Sequence, residues 1–460
     1  MIHSYCLNGY HVVVDAYSCS VHAVDEVAAV AISLYERQPR AAVRRALAEA
    51  YPALPPGDID AGLDHIDMLR NAGRLYAPDR FAAQAGALRR GDIPLKALCL
   101  HVAHTCNLRC SYCFAAQGRY AGDHALMSAE TGRRALDFLV ARSGVRRNLE
   151  VDFFGGEPLM NWEVVKELVR YGRALEKEHD KVFRFTLTTN GMLLDDEVTD
   201  FCNREMHNVV LSLDGRKQVH DRFRVDAGGQ GSYDTVVPKF QRFVKARGDR
   251  GYYIRGTYTR HNADFLADIL HMADLGFTQL SMEPAVGMKD SPDALREEDL
   301  PQLYDQYERL AAEMIRRSRE GRGFTFYHYM LDLQHAPCIQ KRVSGCGAGT
   351  EYLAVTPWGD LYPCHQFVGD GDCLLGNIHD GITNRELFNS FRQVHVYARP
   401  ECADCWAKLF CSGGCTANAY HASGDVLGVD AYGCRLFKKR LECALMMQAA
   451  LADDEGENEG

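Results

Sequence analysis

The sequence predicts an α/β protein: a parallel sheet with covering helices, preceded by a small α+β unit and followed by a loop-rich region held by cysteines. Three observations carry this. Between 93 and 320, strand-length apolar runs alternate with helix-length amphipathic runs, the pattern of repeated βα units with right-handed crossovers. Before them, residues 1–92 join short β-like runs to helical patterns. After them, residues 321–450 have few long periodic segments yet hold Cys338, Cys346, Cys364, Cys373, Cys402, Cys405, Cys411, Cys415 and Cys434. A region so poor in regular elements needs a staple.

The expected strands of the central region are Ala97–His104, Leu149–Phe154, Phe183–Thr188, Asn208–Leu213, Tyr253–Thr257 and Gln279–Met282. The helices between and after them are Ala129–Arg142, Trp162–Lys177, Asp195–Glu205, Tyr233–Ala246, Ala263–Leu275 and Leu300–Arg319. Six such units form a sheet that is open or curled, short of the eight of a full barrel, and polar groups in such folds gather at the C-terminal strand ends. In 1–92 the expected strands are Tyr10–Asp15, Val21–Val24 and Leu75–Ala77, with helices at Asp25–Glu36, Ala41–Ala50 and Asp58–Ala72 and a break at Pro52–Gly57. The end, 451–460, is acidic, lacks apolar residues after Ala452 and is expected to be disordered.

With 460 residues, 47% of them apolar, the chain is long enough for about three domains. Its formal charge, 52 − 62 = −10, argues against nucleic-acid binding, which needs a cationic face. The opening MIHSYCLNGYHVVVDAYS lacks the basic and apolar segments of a signal peptide, and no apolar stretch approaches the ~20 residues of a membrane span. The expected location is cytoplasmic, where 17 cysteines point to metal or catalysis rather than disulfides. Cys6, Cys19, Cys99, Cys202 and Cys443 are scattered and read as buried thiols; Cys373, in a glycine-flanked loop, reads as free.

The segment His104-Thr-Cys106-Asn-Leu-Arg-Cys110-Ser-Tyr112-Cys113-Phe114 directly follows the first central strand. Three thiolates spaced CxxxCxxC can wrap a cubane cluster and leave one iron without a protein ligand, because the usual fourth cysteine is missing nearby. Zinc is the alternative, but it prefers four closed ligands, and His104 lies on the strand side of the loop.

With an aromatic residue before its last cysteine, this segment resembles the signature of the radical S-adenosylmethionine (radical SAM) superfamily, and the resemblance runs through the whole βα region. Phe154-Gly155-Gly156-Glu157-Pro158 is similar to the family's GGEP motif, and Thr188-Thr-Asn190-Gly191 also matches. Ser212-Leu-Asp214-Gly215 resembles the segment that contacts the ribose, and Arg224 matches the position that pairs with the cofactor carboxylate. Each alone has an ordinary reading as a turn or a helix cap; in order, each following a strand, they agree. The resemblance implies a partial (β/α)6 radical SAM barrel with a [4Fe–4S] cluster on Cys106, Cys110 and Cys113. It implies S-adenosylmethionine held by Tyr112, Gly155, Gly156, Glu157, Pro158, Asn190, Ser212, Asp214 and Arg224, with Glu157 and nearby backbone at the methionine amino group. The implied chemistry is one-electron cleavage of that cofactor to a 5′-deoxyadenosyl radical, which takes a hydrogen atom from an unactivated carbon.

The C-terminal pattern Cys402-Ala-Asp-Cys405-x5-Cys411-x3-Cys415, then Cys434, preceded by Cys346-x12-Gly359-x4-Cys364, resembles the SPASM extension. That resemblance implies two auxiliary [4Fe–4S] clusters, making three in all. Cys346, Cys364 and Cys415, with Cys338, would hold the first, and Cys402, Cys405, Cys411 and Cys434 the second. If Cys338 does not bind, the first has an open iron that a substrate thiolate can occupy. Paired zinc sites are the alternative, since CxxC is shared.

Auxiliary clusters of this kind go with peptide substrates. Residues 1–92 resemble a winged-helix-like peptide-recognition element, which binds a leader peptide as an added edge strand; a structural cap is the alternative. The full chain is most similar to the SCIFF-peptide maturases, through Tyr5-Cys-Leu-Asn-Gly-Tyr10, Val21-His-Ala-Val-Asp25, Arg255-Gly-Thr-Tyr-Thr259, Lys341–Gly349 and Tyr362-Pro-Cys-His-Gln366. This implies thioether links from cysteine sulfur to the α-carbon of a partner residue in a short cysteine-rich precursor peptide with a leader. It also implies an electron donor such as a ferredoxin or flavodoxin. An anaerobic sulfatase-maturing enzyme, which makes formylglycine, is the alternative; such enzymes carry an acidic residue where this chain has His365. A non-catalytic iron–sulfur electron carrier is a third reading, but it has no need of the cofactor-pocket motifs.

Overall fold

The computed structural model describes residues 1–87, 93–120, 122, 124–286, 291–333 and 338–458, without the side chains of 453–458. In the N-terminal unit, β1 (Ile2–Leu7), β2 (Tyr10–Asp15) and β3 (Val21–Val24) form an antiparallel sheet in that order. Helices α1 (Glu26–Tyr35), α2 (Arg40–Ala50), α3 (Pro56–Asn71) and the short α4 (Ala82–Ala85) follow. Asp25 starts α1 by accepting from Ala28 N at 2.7 Å, which satisfies one of the first-turn donors. Period-two alternation splits β2 between two cores. Val13 packs with α1–α3, while Val12 and Val14 join the main core of the molecule.

The central sheet contains β4 (Ala97–His104), β6 (Asn148–Gly155), β7 (Val182–Thr189), β8 (Met206–Ser212), β9 (Tyr252–Tyr258) and β10 (Gln279–Pro284), all parallel and in sequence order. Two residues, β5 (Ala125–Leu126), pair antiparallel with β4. The covering helices are α5 (Ala129–Arg142), α6 (Trp162–His179), α7 (Asp196–Glu205), the short α8 (Lys217–Phe223), α9 (Tyr233–Arg247), α10 (Phe265–Asp274) and α11 (Leu300–Arg319). Alternate strand residues turn toward these helices: Val151, Phe153, Phe185, Leu187, Val209, Leu211, Ile254 and Leu280 are fully buried. Each such side chain contributes about 1.5–3 kcal/mol through burial. The intervening positions, among them Phe154, Thr188, Ser212, Arg255, Thr257 and Glu283, line a cavity at the C-terminal strand ends. The predicted α/β partial barrel is the observed one.

Both edges of this sheet are covered from the C-terminal region, which relieves the exposed-edge problem of an incomplete barrel. β11 (Thr325–Phe326) pairs parallel with β10. β12 (Tyr352–Val355) pairs parallel with β4, Tyr352 opposite Ala97, and carries the antiparallel β13 (Asp360–Tyr362). The core sheet therefore extends past residue 320. The C-terminal helix Ala431–Asn458 then returns across the molecule, placing Leu436, Leu441, Ala444 and Leu445 in one core with Leu7, Val12 and Val14.

Three local expectations are corrected. Leu75–Ala77 is no strand, because Tyr76 has φ 54, a left-handed conformation that breaks an extended run. β1, unforeseen, is a strand whose alternation puts Leu7 in the core and Cys6 outside. Cys6 is thus exposed and Cys19 only half-buried, in a turn where its Sγ accepts from Arg342 Nη1 at 2.8 Å; Cys99, Cys202 and Cys443 are buried as expected. The C-terminal helix runs through the acidic end as far as Asn458; residues 459–460 lie outside the described residues.

Candidate functional site

Cys106, Cys110 and Cys113 sit on the loop that leaves β4, and all three line one cavity of about 210 Å³. The loop is pinned on both sides. Arg109 N donates to Val225 O at 2.7 Å, and Leu108 bridges Asp226. On the other side, Asn190 Nδ2 donates to Asn107 Oδ1 at 2.7 Å and approaches Cys106 Sγ at 3.7 Å. Burial pushes the Cys106 thiol up to about 12 and Cys110 to about 11, and the neighbouring thiols add to both shifts.

The glycine pair after β6 explains how the loop is approached. A Cβ on Gly155 would lie 2.3 Å from Ala103 O, and one on Gly156 would lie 2.0 Å from Thr105 O. Only bare backbone fits there. Gly156 N and Glu157 N then donate to Ala103 O and Thr105 O at 2.7 and 2.9 Å. The close approach is to the backbone at the base of the cysteine loop, so the motif braces the loop as well as facing the cavity.

Glu157 is 1% exposed. Its Oε1 accepts from Thr189 Oγ1 at 2.7 Å and Leu159 N at 3.0 Å, and its Oε2 from Asn190 N at 2.8 Å. Burial raises its pKa to about 7, against those three hydrogen bonds. Pro158 opens the short turn behind it, buried and outside the cavity wall.

Ser212 and Arg224 line the cavity, whereas Asp214 stands one layer behind. The Asp214 carboxylate, 0% exposed, accepts from Tyr112 Oη at 2.6 Å, Arg224 Nε at 2.9 Å and Nη2 at 3.1 Å, and Thr257 N at 2.9 Å. This leaves Arg224 fixed below the Tyr112 ring, 5.5 Å from its centroid. A relay sets the backbone of Arg224. Asp214 N donates to His220 Nδ1, so the proton is on Nε2, which faces Ser232 Oγ at 2.9 Å; that hydroxyl donates to Arg224 O at 2.8 Å. Burial lowers His220 to about 4 and keeps the ring neutral.

The C-terminal cysteines fall into two groups. Burial raises the Cys364 thiol, with Cys415 and Cys346 adding to the shift, and burial with Cys346 raises Cys415; Gln366 Nε2 donates to Cys415 Sγ at 3.7 Å. Cys402, Cys405, Cys411 and Cys434 form the second group, with burial pushing Cys402 to about 11 and Cys411 to about 12. Cys338 is exposed, at the start of the helix Ile339–Ser344. Cys373 stays apart, buried, with its thiol 3.5 Å from Asp370 Oδ2.

These donor sets fit multi-iron groups. Sets of three and four thiols are the donors that iron–sulfur groups take.

Sequence profiles agree with this geometry. Residues 100–271 match the Radical SAM superfamily, and residues 346–406 match an iron–sulfur cluster-binding domain, SPASM. The chain belongs to the radical SAM superfamily and carries a SPASM domain. It is 30% identical over 361 residues to an uncharacterized protein of Archaeoglobus fulgidus, covering 76% of this chain and 81% of that one. It is 26% identical over 375 residues to a cysteine-type anaerobic sulfatase-maturating enzyme of Clostridium perfringens, covering 76% of this chain and 96% of that one. The structure of Streptococcus suis SuiB bound to its precursor peptide SuiA superposes with a TM-score of 0.53 at 15% identity, over 94% of this chain and 98% of SuiB. Membership implies S-adenosylmethionine and iron–sulfur clusters as cofactors.

The radical SAM cavity also holds residues that sequence reasoning gave no role: Arg255, Thr257, Glu283 and His365. The first three lie at the ends of β9 and β10, where charged inward-facing residues are a signal in a parallel barrel. His365 comes from the SPASM domain, directly after Cys364, and no local pattern places it there. Burial lowers it to about 4, and Arg255 adds to the shift. Among the described residues, no helix is long and apolar enough to cross a membrane.

Proposed function

We propose that this radical SAM–SPASM protein is a peptide maturase that joins cysteine sulfur to the α-carbon of a partner residue in a short, cysteine-rich precursor peptide. In this reading it uses three [4Fe–4S] clusters, with the ligand sets predicted above. The observation that carries the reading is the shared cavity: the thiols of the radical SAM loop and His365, next to Cys364 of the first auxiliary set, both line it. A substrate there is within reach of both.

When bound, the reduced cluster and S-adenosylmethionine supply a radical able to remove hydrogen from unactivated carbon. The chain's own residues orient and enclose. Asn190 steadies the cysteine loop, Arg224 presents a fixed cation to an anionic group of the cofactor, and Phe114, Tyr120 and Phe154 wall the cavity with apolar surface that limits water. The N-terminal sheet has β1 and β3 at its edges, suited to pairing with a leader strand.

Formylglycine formation is the second reading, favoured by the likeness to the Clostridium perfringens enzyme. His365, kept neutral by burial, stands where that class has a carboxylate, which supports the thioether reading. The test is anaerobic incubation of the reconstituted protein with reductant, S-adenosylmethionine and a short cysteine-rich peptide encoded beside it. A product lighter by two hydrogens per link, with 5′-deoxyadenosine formed, is expected; a carbonyl in place of a thiol selects the second reading. A Cys106/Cys110/Cys113→Ala variant is expected to form no deoxyadenosine.

A further inference from the structure

The cavity contains two arginines, and only one is fully engaged. Arg224 is held two-pronged by Asp214, with side chains 11% and 0% exposed. Arg255 is 50% exposed, and among the described residues its one ion pair is a loose 3.8 Å contact from Nη2 to Glu283 Oε1. A guanidinium carries five donors in a planar fork matched to a carboxylate. Most of that fork on Arg255 faces the cavity without a partner among the described residues.

The surroundings hold Arg255 in position without neutralising it. Glu283 lies on the neighbouring strand β10, where Ser281 Oγ donates to its Oε1 at 3.3 Å. His328 Nε2 lies 3.1 Å from the same oxygen. Arg440, from the C-terminal helix, contacts His328 Nδ1 at 3.1 Å. Arginine can only donate, so Nδ1 accepts and the His328 proton is on Nε2, beside Glu283 but out of hydrogen-bond alignment with it. The row Arg440, His328, Glu283, Arg255 therefore reads positive, neutral, negative, positive. It leaves one net positive charge, and the cavity-facing end is Arg255.

Position argues for the substrate rather than the cofactor. Arg255 lines the same cavity as His365, the SPASM residue beside Cys364. It stands on β9, three strands along the sheet from β6, which leads into Glu157, and two from β7, which leads into Asn190.

We infer that Arg255 is a specificity residue that anchors a carboxylate of the peptide substrate, either an acidic side chain near the reacting residues or the C-terminus, with Glu283, His328 and Arg440 as its positioning residues. This rests on the peptide-maturase reading above. An acidic anchor in the peptide would set its register across the cavity, so that one residue is offered for hydrogen abstraction and its neighbours are not.

The experiment crosses protein and peptide variants. The reconstituted holoenzyme, as wild type, Arg255→Gln and Arg255→Lys, is titrated with a fluorescently labelled cysteine-rich peptide that the wild type modifies. The peptide is used in three forms: unaltered, with acidic residues changed to amides, and with an amidated C-terminus. Losing one charge-assisted contact is expected to weaken binding roughly 10- to 100-fold. Arg255→Gln should weaken the unaltered peptide by that factor, and Arg255→Lys by less, because it keeps the charge and loses the fork. Arg255→Gln should leave unchanged the affinity of whichever amide form has itself lost affinity for the wild type; that form identifies the source of the carboxylate. Equal weakening of all three peptides, or of none, overturns the inference. So does a loss confined to S-adenosylmethionine affinity, measured on the same variants. If the wild type modifies no such peptide, the maturase reading fails first, a result separate from any effect of Arg255.

Discussion

Lys408 Nζ lies 3.0 Å from Asp79 Oδ2, between the rings of Tyr17 and Tyr397, each 4.9 Å away. The lysine side chain is 2% exposed. It also donates to Ala403 O at 2.9 Å, and Tyr397 Oη donates to Asp79 Oδ1 at 2.8 Å. A single residue between Cys405 and Cys411 thereby fastens the N-terminal unit to the loop bearing the second auxiliary cysteine set.

Removing one partner of a buried ion pair strands the other charge and costs about 3 kcal/mol or more. Lys408→Met is expected to lower thermal stability accordingly and to raise hydrogen exchange in residues 1–79 more than in the strands β6–β8. Exchange that rises evenly over the chain, or not at all, rejects the clamp.

Glu157 gives a pH signature. Its pKa is about 7 in the folded chain against 4.5 as an ordinary glutamate. Between these values the folded chain keeps a proton that the unfolded chain has lost. Its contribution is therefore fully present below pH 4.5 and falls by about 3 kcal/mol by pH 7. In urea denaturation of the iron-free protein, Glu157→Gln should remove this term. The stability of wild type minus variant should fall by about 1.4 kcal/mol per pH unit across that window; a flat difference shows that Glu157 is not held protonated.

Gly156 leaves no room for a methyl group, since the added carbon would meet Thr105 O at 2.0 Å. Backbone cannot yield as a flexible side chain does. Gly156→Ala is therefore expected to displace the cysteine loop and cut the iron bound after anaerobic reconstitution by about one cluster, while the iron of the C-terminal cysteines remains. Full iron content, checked by iron assay and absorbance, contradicts this.

The six central strands and their helices were legible because each has a local cause: alternation of apolar residues, a cap such as Ser128 or Asp195, a turn at each end. The cysteine loop and the GGEP segment were legible because the chemistry is written in contiguous residues. What was not legible depends on distant pairings. Nothing near Asp214 announces that its carboxylate joins Tyr112, Arg224 and Thr257. Nothing near Tyr352 announces a strand paired with Ala97, and Arg440 reaches the cavity only because a long C-terminal helix crosses the molecule. Tyr76 misled because its composition suits a strand while its backbone turns left-handed.

Asp214 is the sharpest place to test how the cofactor side of the cavity is organised. Its two oxygens accept four hydrogen bonds, from the Cys loop through Tyr112, from Arg224 twice and from β9 through Thr257. Asp214→Asn keeps the shape but offers one acceptor oxygen in place of two and turns an amide donor toward existing donors. It also leaves Arg224, 11% exposed, without its counter-charge. Breaking such a pair costs about 3–5 kcal/mol, and a free guanidinium loses the orientation that the ring of Tyr112 and the carboxylate impose together. Asp214→Asn should therefore both destabilise the protein and weaken S-adenosylmethionine binding by calorimetry, about tenfold or more. Arg224→Lys should weaken binding with a smaller loss of stability, since a lysine still neutralises Asp214. If Asp214→Asn instead binds the cofactor as tightly as wild type while the fold is weakened, Asp214 serves stability alone and Arg224 does not depend on it for its position.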